Sequence, residues 1–262
     1  MESHEGNVQE KTVLLEEMTW CEVQEVLRSP HPVALLPTGV TEAHGPHLPL
    51  NTDAIISLLA SQRAAKELQR KGVAALVLPL LPYGVAYCAS PFAGTVTLEG
   101  ETLTLLVRDI CLSAVDQGFK TVCLCSKHIE PAHLEALKKA GKFVQEKTGV
   151  MIGIPDMRDE EWAARLPEEF KKGSRHAGSG ETSMVMVARP DLVREDVRNG
   201  LDSVWIDLPA KLKAGAKTFK EAGSDMAYFG NPAGASIGEG ETFFHVFVDM
   251  IVTTVERLLG LR

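Results

Sequence analysis

The stretch Val33-Ala-Leu-Leu-Pro37, running into Thr38-Gly-Val-Thr-Glu42-Ala-His44-Gly-Pro-His47-Leu-Pro-Leu-Asn-Thr-Asp53, decides the fold. Its first half is a short, unbroken apolar run, the pattern of a strand covered on both faces. Its second half gathers two carboxylates and two imidazoles immediately before a helical segment. Runs of the same apolar character recur at residues 74–81, at Thr121-Val-Cys-Leu-Cys125 and at Val150-Met-Ile-Gly-Ile154. Between them lie helix-spaced faces, one opened by Ile55, Ile56, Leu59 and Ala60, another by Leu103, Leu106, Val107, Ile110, Ala114 and Val115. Gly72 and Gly118 stand where these helices should stop, and Pro131 stands where a first helical turn tolerates it. Near the end, Phe243, Phe244, Phe247, Ile251, Val252, Val255 and Leu258 form a helical stripe that closes the domain or lies between subunits, with core the favoured use. The alternation predicts an α/β fold with a mostly parallel sheet between helices.

A chain of 262 residues with 45% hydrophobic and 24% charged residues is expected to form a single domain spanning 1–262. Residues 1–11 are polar and read as a flexible arm, and residues 190–240 read as a loop-rich excursion rather than a second domain. The formal net charge of -8 argues against a nucleic-acid surface. No apolar run approaches the roughly 18 to 20 residues a membrane span needs, and the polar first residues lack a secretory core. Five cysteines, with Cys111, Cys123 and Cys125 inside apolar stretches, suit reduced buried thiols in a cytoplasmic protein. Cys123 and Cys125 should point to one strand face as core residues.

Reactive groups in such sheets collect where strands end. Glu42 and His44, two apart, point the same way from an extended segment, and the Gly-Pro and Leu-Pro elements let Asp53 return to them. The loop after Cys125 repeats the imidazole-x-carboxylate spacing with His128 and Glu130. A third group, Arg175-His176-Ala-Gly178-Ser-Gly-Glu181-Thr182-Ser183, places glycines between a His and a Glu ahead of an apolar helix. The blander reading makes Asp53, Ser179 and Thr182 helix caps and Glu42 and His44 solvated loop residues. Three such loops together favour a metal site.

At these loops the chain resembles the creatininase (creatinine amidohydrolase) family, in its Glu-x-His-Gly segment, downstream Asp, strand-ending His and His-Ala-Gly-x-x-Glu-Thr-Ser segment. Pro82-Tyr-Gly84, the Gly94-Thr95 turn and the stretch from Gly230-Asn-Pro232 to Gly240 extend the likeness over most of the chain. The resemblance implies a three-layer α/β/α sandwich, usually a hexamer, with two divalent ions per subunit: zinc first, manganese or iron as alternatives. It implies Glu42, His44, Asp53, His128 and Glu130 as metal ligands with Asp53 bridging, and His176 and Glu181 as active-site residues. Either Glu130 or Glu181 then supplies the fifth ligand.

The implied activity is hydrolysis of a non-peptide C–N bond in a small, possibly cyclic, amide by a metal-activated water. His176 would protonate the departing nitrogen, and Glu181 or Glu130 would take a proton from water. The sequence departs from many relatives at Lys127 and Pro131, which replace a Gly and an Asn, and at Val85-Ala-Tyr-Cys-Ala89, which lacks a Ser and a His. These departures admit two alternatives, a formamidopyrimidine-nucleotide deformylase and a catalytically silent scaffold.

Overall fold

Strand β1 (Val33–Thr38) is buried along its whole length, and the sheet grows from it in both directions. In the computed structural model, which describes residues 12–261, β1 pairs with β2 (Ala75–Val77) on one side and with β3 (Thr121–Ser126) on the other. Strand β4 (Met151–Gly153) pairs with the far edge of β3. All pairings are parallel, in the order β2-β1-β3-β4. The expected arm at residues 1–11 lies outside the described residues.

Alternating side chains serve two cores, as a pleated strand requires. Val33, Leu35, Ala75, Val77, Cys123 and Cys125 face one cluster, while Ala34, Leu36, Leu76, Val122 and Leu124 face the other. Both strand cysteines are therefore free core thiols on one face. The first cluster is covered by α2 (Thr52–Arg70), by α7 (Ser179–Ala188) and by α11 (Ile237–Leu258), which carries the Phe243 to Val255 stripe. The second is covered by α3 (Gly100–Gln117) and α4 (Pro131–Thr148), with Val23, Val26 and Leu27 of α1 (Trp20–Leu27) packed against it. Helix layers on both faces make the three-layer α/β/α arrangement. Each fully buried leucine or phenylalanine adds roughly 1.5–3 kcal/mol to it.

Two features aim the sheet at a site. The chain moves from β1 to β2 and then back across β1 to β3, so the connections diverge at the carboxyl ends of β1 and β3, where such folds open a crevice. Residues 154–240 then run through short helices: α5 (Glu160–Ala163), α6 (Glu168–Lys171), α7, α8 (Glu195–Asn199), α9 (Leu208–Lys213) and α10 (Phe219–Ala222). Leu208, Phe219, Ala222 and Phe229 form a small third cluster with Ala43, Cys88 and Ala89. The loop-rich excursion thus packs against the loop that leaves β1.

Candidate metal centre

Beyond β1 the chain folds into a closed loop, pinned where the Glu42 amide donates to the Leu50 carbonyl at 2.9 Å. The loop returns Asp53 in the first turn of α2. Gly39 makes that return fit, because a Cβ there would lie 2.6 Å from the Ala54 amide nitrogen. Beyond β3, the Lys127 amide donates to Ser57 Oγ at 2.9 Å, which sets the strand end against α2 and presents His128 beside Asp53. The third contribution comes from the start of α7, where Glu181 occupies the first turn and His176 precedes it.

Glu42, His44, Asp53, His128, His176 and Glu181 meet in one buried cluster. Three ligand groups can be drawn from it: Glu42 with His44 and His176, Glu42 with Asp53 and His128, and His44 with Asp53 and Glu181, each with its atoms within 4.8 Å of one another. His128 Nδ1 lies 3.2 Å from Glu42 Oε1 and 3.1 Å from Asp53 Oδ2. His44 Nε2 lies 3.6 Å from both Asp53 Oδ1 and Glu181 Oε2. His176 Nδ1 lies 3.6 Å from Glu42 Oε1.

Each imidazole is oriented by a backbone carbonyl on its outer nitrogen. His44 Nδ1 reaches the Glu42 carbonyl at 3.1 Å, His128 Nε2 the Val85 carbonyl at 2.9 Å and His176 Nε2 the Ala43 carbonyl at 2.8 Å. With the outer nitrogen donating, the inner one turns a lone pair toward carboxylate oxygens, as in metal-ligating histidines. Glu42 Oε1 and Oε2, His44 Nε2 and Asp53 Oδ2 are buried without a hydrogen-bond partner. Acceptors converging on acceptors leave a gap that only a cation, metal or proton, reconciles. The donor set of imidazole and carboxylate suits zinc, manganese or iron.

The electrostatics agree. Burial alone would lower His44, but Asp53, Glu181 and Glu42 raise it to about 9. Burial opposes charge on His128 too, and Glu42 and Asp53 drive it well above the usual imidazole range. Asp53 is held well below the usual carboxylate range by His44 and His128 despite its burial. His176, desolvated and beside His44, is lowered and stays neutral.

Glu130 stands apart. Its carboxylate accepts from the Tyr87 amide at 3.0 Å and the Cys88 amide at 3.1 Å, and it belongs to none of the three ligand groups. Glu181 is inside the cluster, with Oε1 accepting from Lys127 Nζ at 2.5 Å and Oε2 from the Ala177 amide at 2.6 Å.

Glu42, Asp53, His128, His176 and Glu181 of the cluster line a cavity of about 380 Å³. Ile129, Leu208, Leu212 and Phe219 give it apolar walls, and Arg158, Arg175 and Lys213 add cationic lining. Phe219 also stacks on His176, with ring centroids 4.2 Å apart. Sequence reasoning assigned no role to these wall residues or to Lys127 in the site. The available signal for Lys127 was a cation placed between a buried strand and a ligand-type histidine.

Fold and cluster together define an α/β protein with a buried group of imidazoles and carboxylates that could hold a metal ion at the carboxyl edge of its sheet. The family model described as creatinine amidohydrolase matches residues 16–255, so the chain belongs to the creatininase family. A creatinine amidohydrolase from Pseudomonas putida is 30% identical over 203 residues, covering 71% of this chain and 75% of that protein. A mycofactocin precursor peptide peptidase from Mycobacterium ulcerans is 28% identical over 236 residues, covering 88% and 87%. A crystal structure of creatininase superposes with a TM-score of 0.77 at 24% identity, covering 95% of this chain and 98% of that one. Creatininase structures of the same fold include a zinc–zinc form and a manganese form, with TM-scores of 0.74 and 0.72 at 23% and 24% identity, covering 95% and 94% of this chain and 98% of each.

Proposed function

We propose that this chain is a metal-dependent amidohydrolase that cleaves a C–N bond in a small amide seated in the cavity above the Glu42 cluster. The observation that carries the reading is the convergence of unpartnered buried atoms, Glu42 Oε1 and Oε2 and Asp53 Oδ2 from residues lining the cavity, with unpartnered His44 Nε2 3.6 Å from Asp53 Oδ1. Glu42, Asp53 and His128 would hold a cation, and His44, Asp53 and Glu181 form the adjoining corner. A divalent ion there supplies Lewis acidity, activating water and polarising a carbonyl oxygen.

The chain's own groups do the rest. His176 is neutral, lines the cavity and is held by the Ala43 carbonyl on one ring nitrogen and Phe219 on one face, so it can accept a proton and pass it to the departing nitrogen. Glu181 is kept anionic beside Lys127 and His44, which suits a fixed negative charge better than a proton carrier. Ile129, Leu208 and Phe219 would give the substrate an apolar wall beside the cluster. The similar proteins are a creatinine amidohydrolase and a precursor peptide peptidase, so both a cyclic amide and a short peptide fit this reading, and it no longer rests on a non-peptide bond.

The test is metal-loaded protein assayed against lactams, short peptides and formamides, with ring opening, new amines and formate as readouts. Turnover of at least one class, abolished by a chelator and restored by metal, is the expected result. Metal uptake without turnover of any class would instead favour a silent scaffold.

A further inference from the structure

The number of ions the site takes follows from an unequal pair of corners, on the metal-dependent reading above. Two ligand groups share Asp53: Glu42, Asp53 and His128 form one, and His44, Asp53 and Glu181 form the other. In the first, Glu42 Oε1 and Oε2 and Asp53 Oδ2 have no hydrogen-bond partner. In the second, His44 Nε2 lacks a partner but Glu181 has both oxygens engaged, Oε1 by Lys127 Nζ at 2.5 Å and Oε2 by the Ala177 amide at 2.6 Å. Lys127 is only 2% exposed, its amide is tied to Ser57 Oγ, and its side chain lines the cavity. A buried ammonium is costly unless paired, and this one is paired to a carboxylate of the cluster itself.

Charge separates the corners further. Glu42, Asp53 and Glu181 bring three negative charges, Lys127 returns one positive charge, and the remainder matches a single divalent ion. A second dication on Glu181 would sit beside the Lys127 ammonium in an enclosed site, where like charges are weakly screened. We propose that Lys127 is a fixed cation in the second corner, so that the chain takes one divalent ion, at Glu42, Asp53 and His128. An ammonium carries three donors. Glu181 takes one, and the cavity side is where a substrate carbonyl oxygen would accept another.

The full chain is stripped with a chelator, reloaded with excess zinc or manganese, desalted and assayed for bound metal, and crystals are searched for anomalous peaks. Wild type should hold about one equivalent, between Glu42, Asp53 and His128, and Lys127→Met, which keeps the stem and removes the charge, should hold about two. Lys127→Arg, which keeps the charge, should stay near one. Two equivalents in the wild type, or one in a folded Lys127→Met protein, overturn the proposal and leave the metal-dependent reading standing. Failure of the wild type to take up any metal overturns both. Should Lys127→Met not fold, the wild-type count and peak position decide the matter alone.

Discussion

Two regions of this chain bury acidic side chains at the same end of the sheet and treat them in opposite ways. Around Glu42 and Asp53, carboxylate oxygens face imidazole nitrogens and three of the four oxygens lack a hydrogen-bond partner. Around Glu169, at the junction of α6, α7 and the segment leading to Pro232, the carboxylate is fully stitched to backbone. Oε1 accepts from the Ser179 amide at 2.6 Å and Oε2 from the Asn231 amide at 2.7 Å. Gly178 and Gly230 supply the room, since a Cβ on either would collide with that carboxylate. Burial of an acid therefore does not identify a ligand. The partner does: backbone amides make a strut, and unanswered acceptors make a cation site.

The largest effect should come from Asp53→Ala, because Asp53 is the residue shared by the Glu42–His128 and His44–Glu181 corners. Bound metal and turnover should vanish together, read by metal analysis and by an amide-hydrolysis assay. Full metal stoichiometry in that variant would end the distinction between the two regions. Glu169→Ala should do the reverse. It strands the buried Ser179 amide and the half-buried Asn231 amide, at about 1–3 kcal/mol each, so a urea melt should show a loss of roughly 2–6 kcal/mol. Metal stoichiometry in the folded fraction should be unchanged.

Much of the first region was legible in the sequence. The unbroken run at Val33 announced a central strand, the Gly-Pro and Leu-Pro elements announced a compact loop, and Glu42, His44, Asp53 and His128 do come together. The alternation that puts Cys123 and Cys125 on one face followed from the strand period alone. What stayed hidden depends on partners distant in the chain. Glu130 has the spacing of a ligand, but the amides of Tyr87 and Cys88 that hold it are backbone groups that no residue pattern advertises. Lys127 meets a carboxylate 54 residues away. The wall residues Leu208, Leu212 and Phe219 lie on α9 and α10, of six and four residues, too short to show an amphipathic period.

The same contrast holds for imidazoles, and pH exposes it. His44 sits among carboxylates and is raised to about 9, while His47, three residues on, is lowered to about 4 by its burial, with His44 and Arg198 adding to the effect. His47 Nε2 pairs with Thr182 Oγ1 at 2.8 Å, outside the acid cluster. A histidine depressed in the folded state keeps its full contribution above the unfolded value of 6.5 and loses it as pH falls toward 4, because the unfolded chain takes up the proton first. At about 1.4 kcal/mol per unit, His47 should cost up to roughly 3 kcal/mol across that window. Urea melts in chelator at pH 4.5 and 7.5 should therefore differ more for wild type than for His47→Gln. Equal differences would remove His47 from the account.

The smallest expected effect bears on the residue that the family resemblance and the geometry treat differently. Burial raises the Glu130 carboxyl, although His128 and the Cys88 amide oppose the rise. A neutral amide of the same shape would remove the buried charge and keep part of the hydrogen bonding. In Glu130→Gln the side-chain amide would retain one acceptor for the Tyr87 or Cys88 amide and lose the other, a loss of about 1–3 kcal/mol for one stranded donor. That variant should thus keep its metal, with a lower urea midpoint. If it lost metal instead, Glu130 would have to leave its two amides to join the cluster on loading, and the rule separating struts from ligands would apply only to the metal-free chain. A neutral outcome extends that rule to a carboxylate two residues from His128, where spacing alone points the other way.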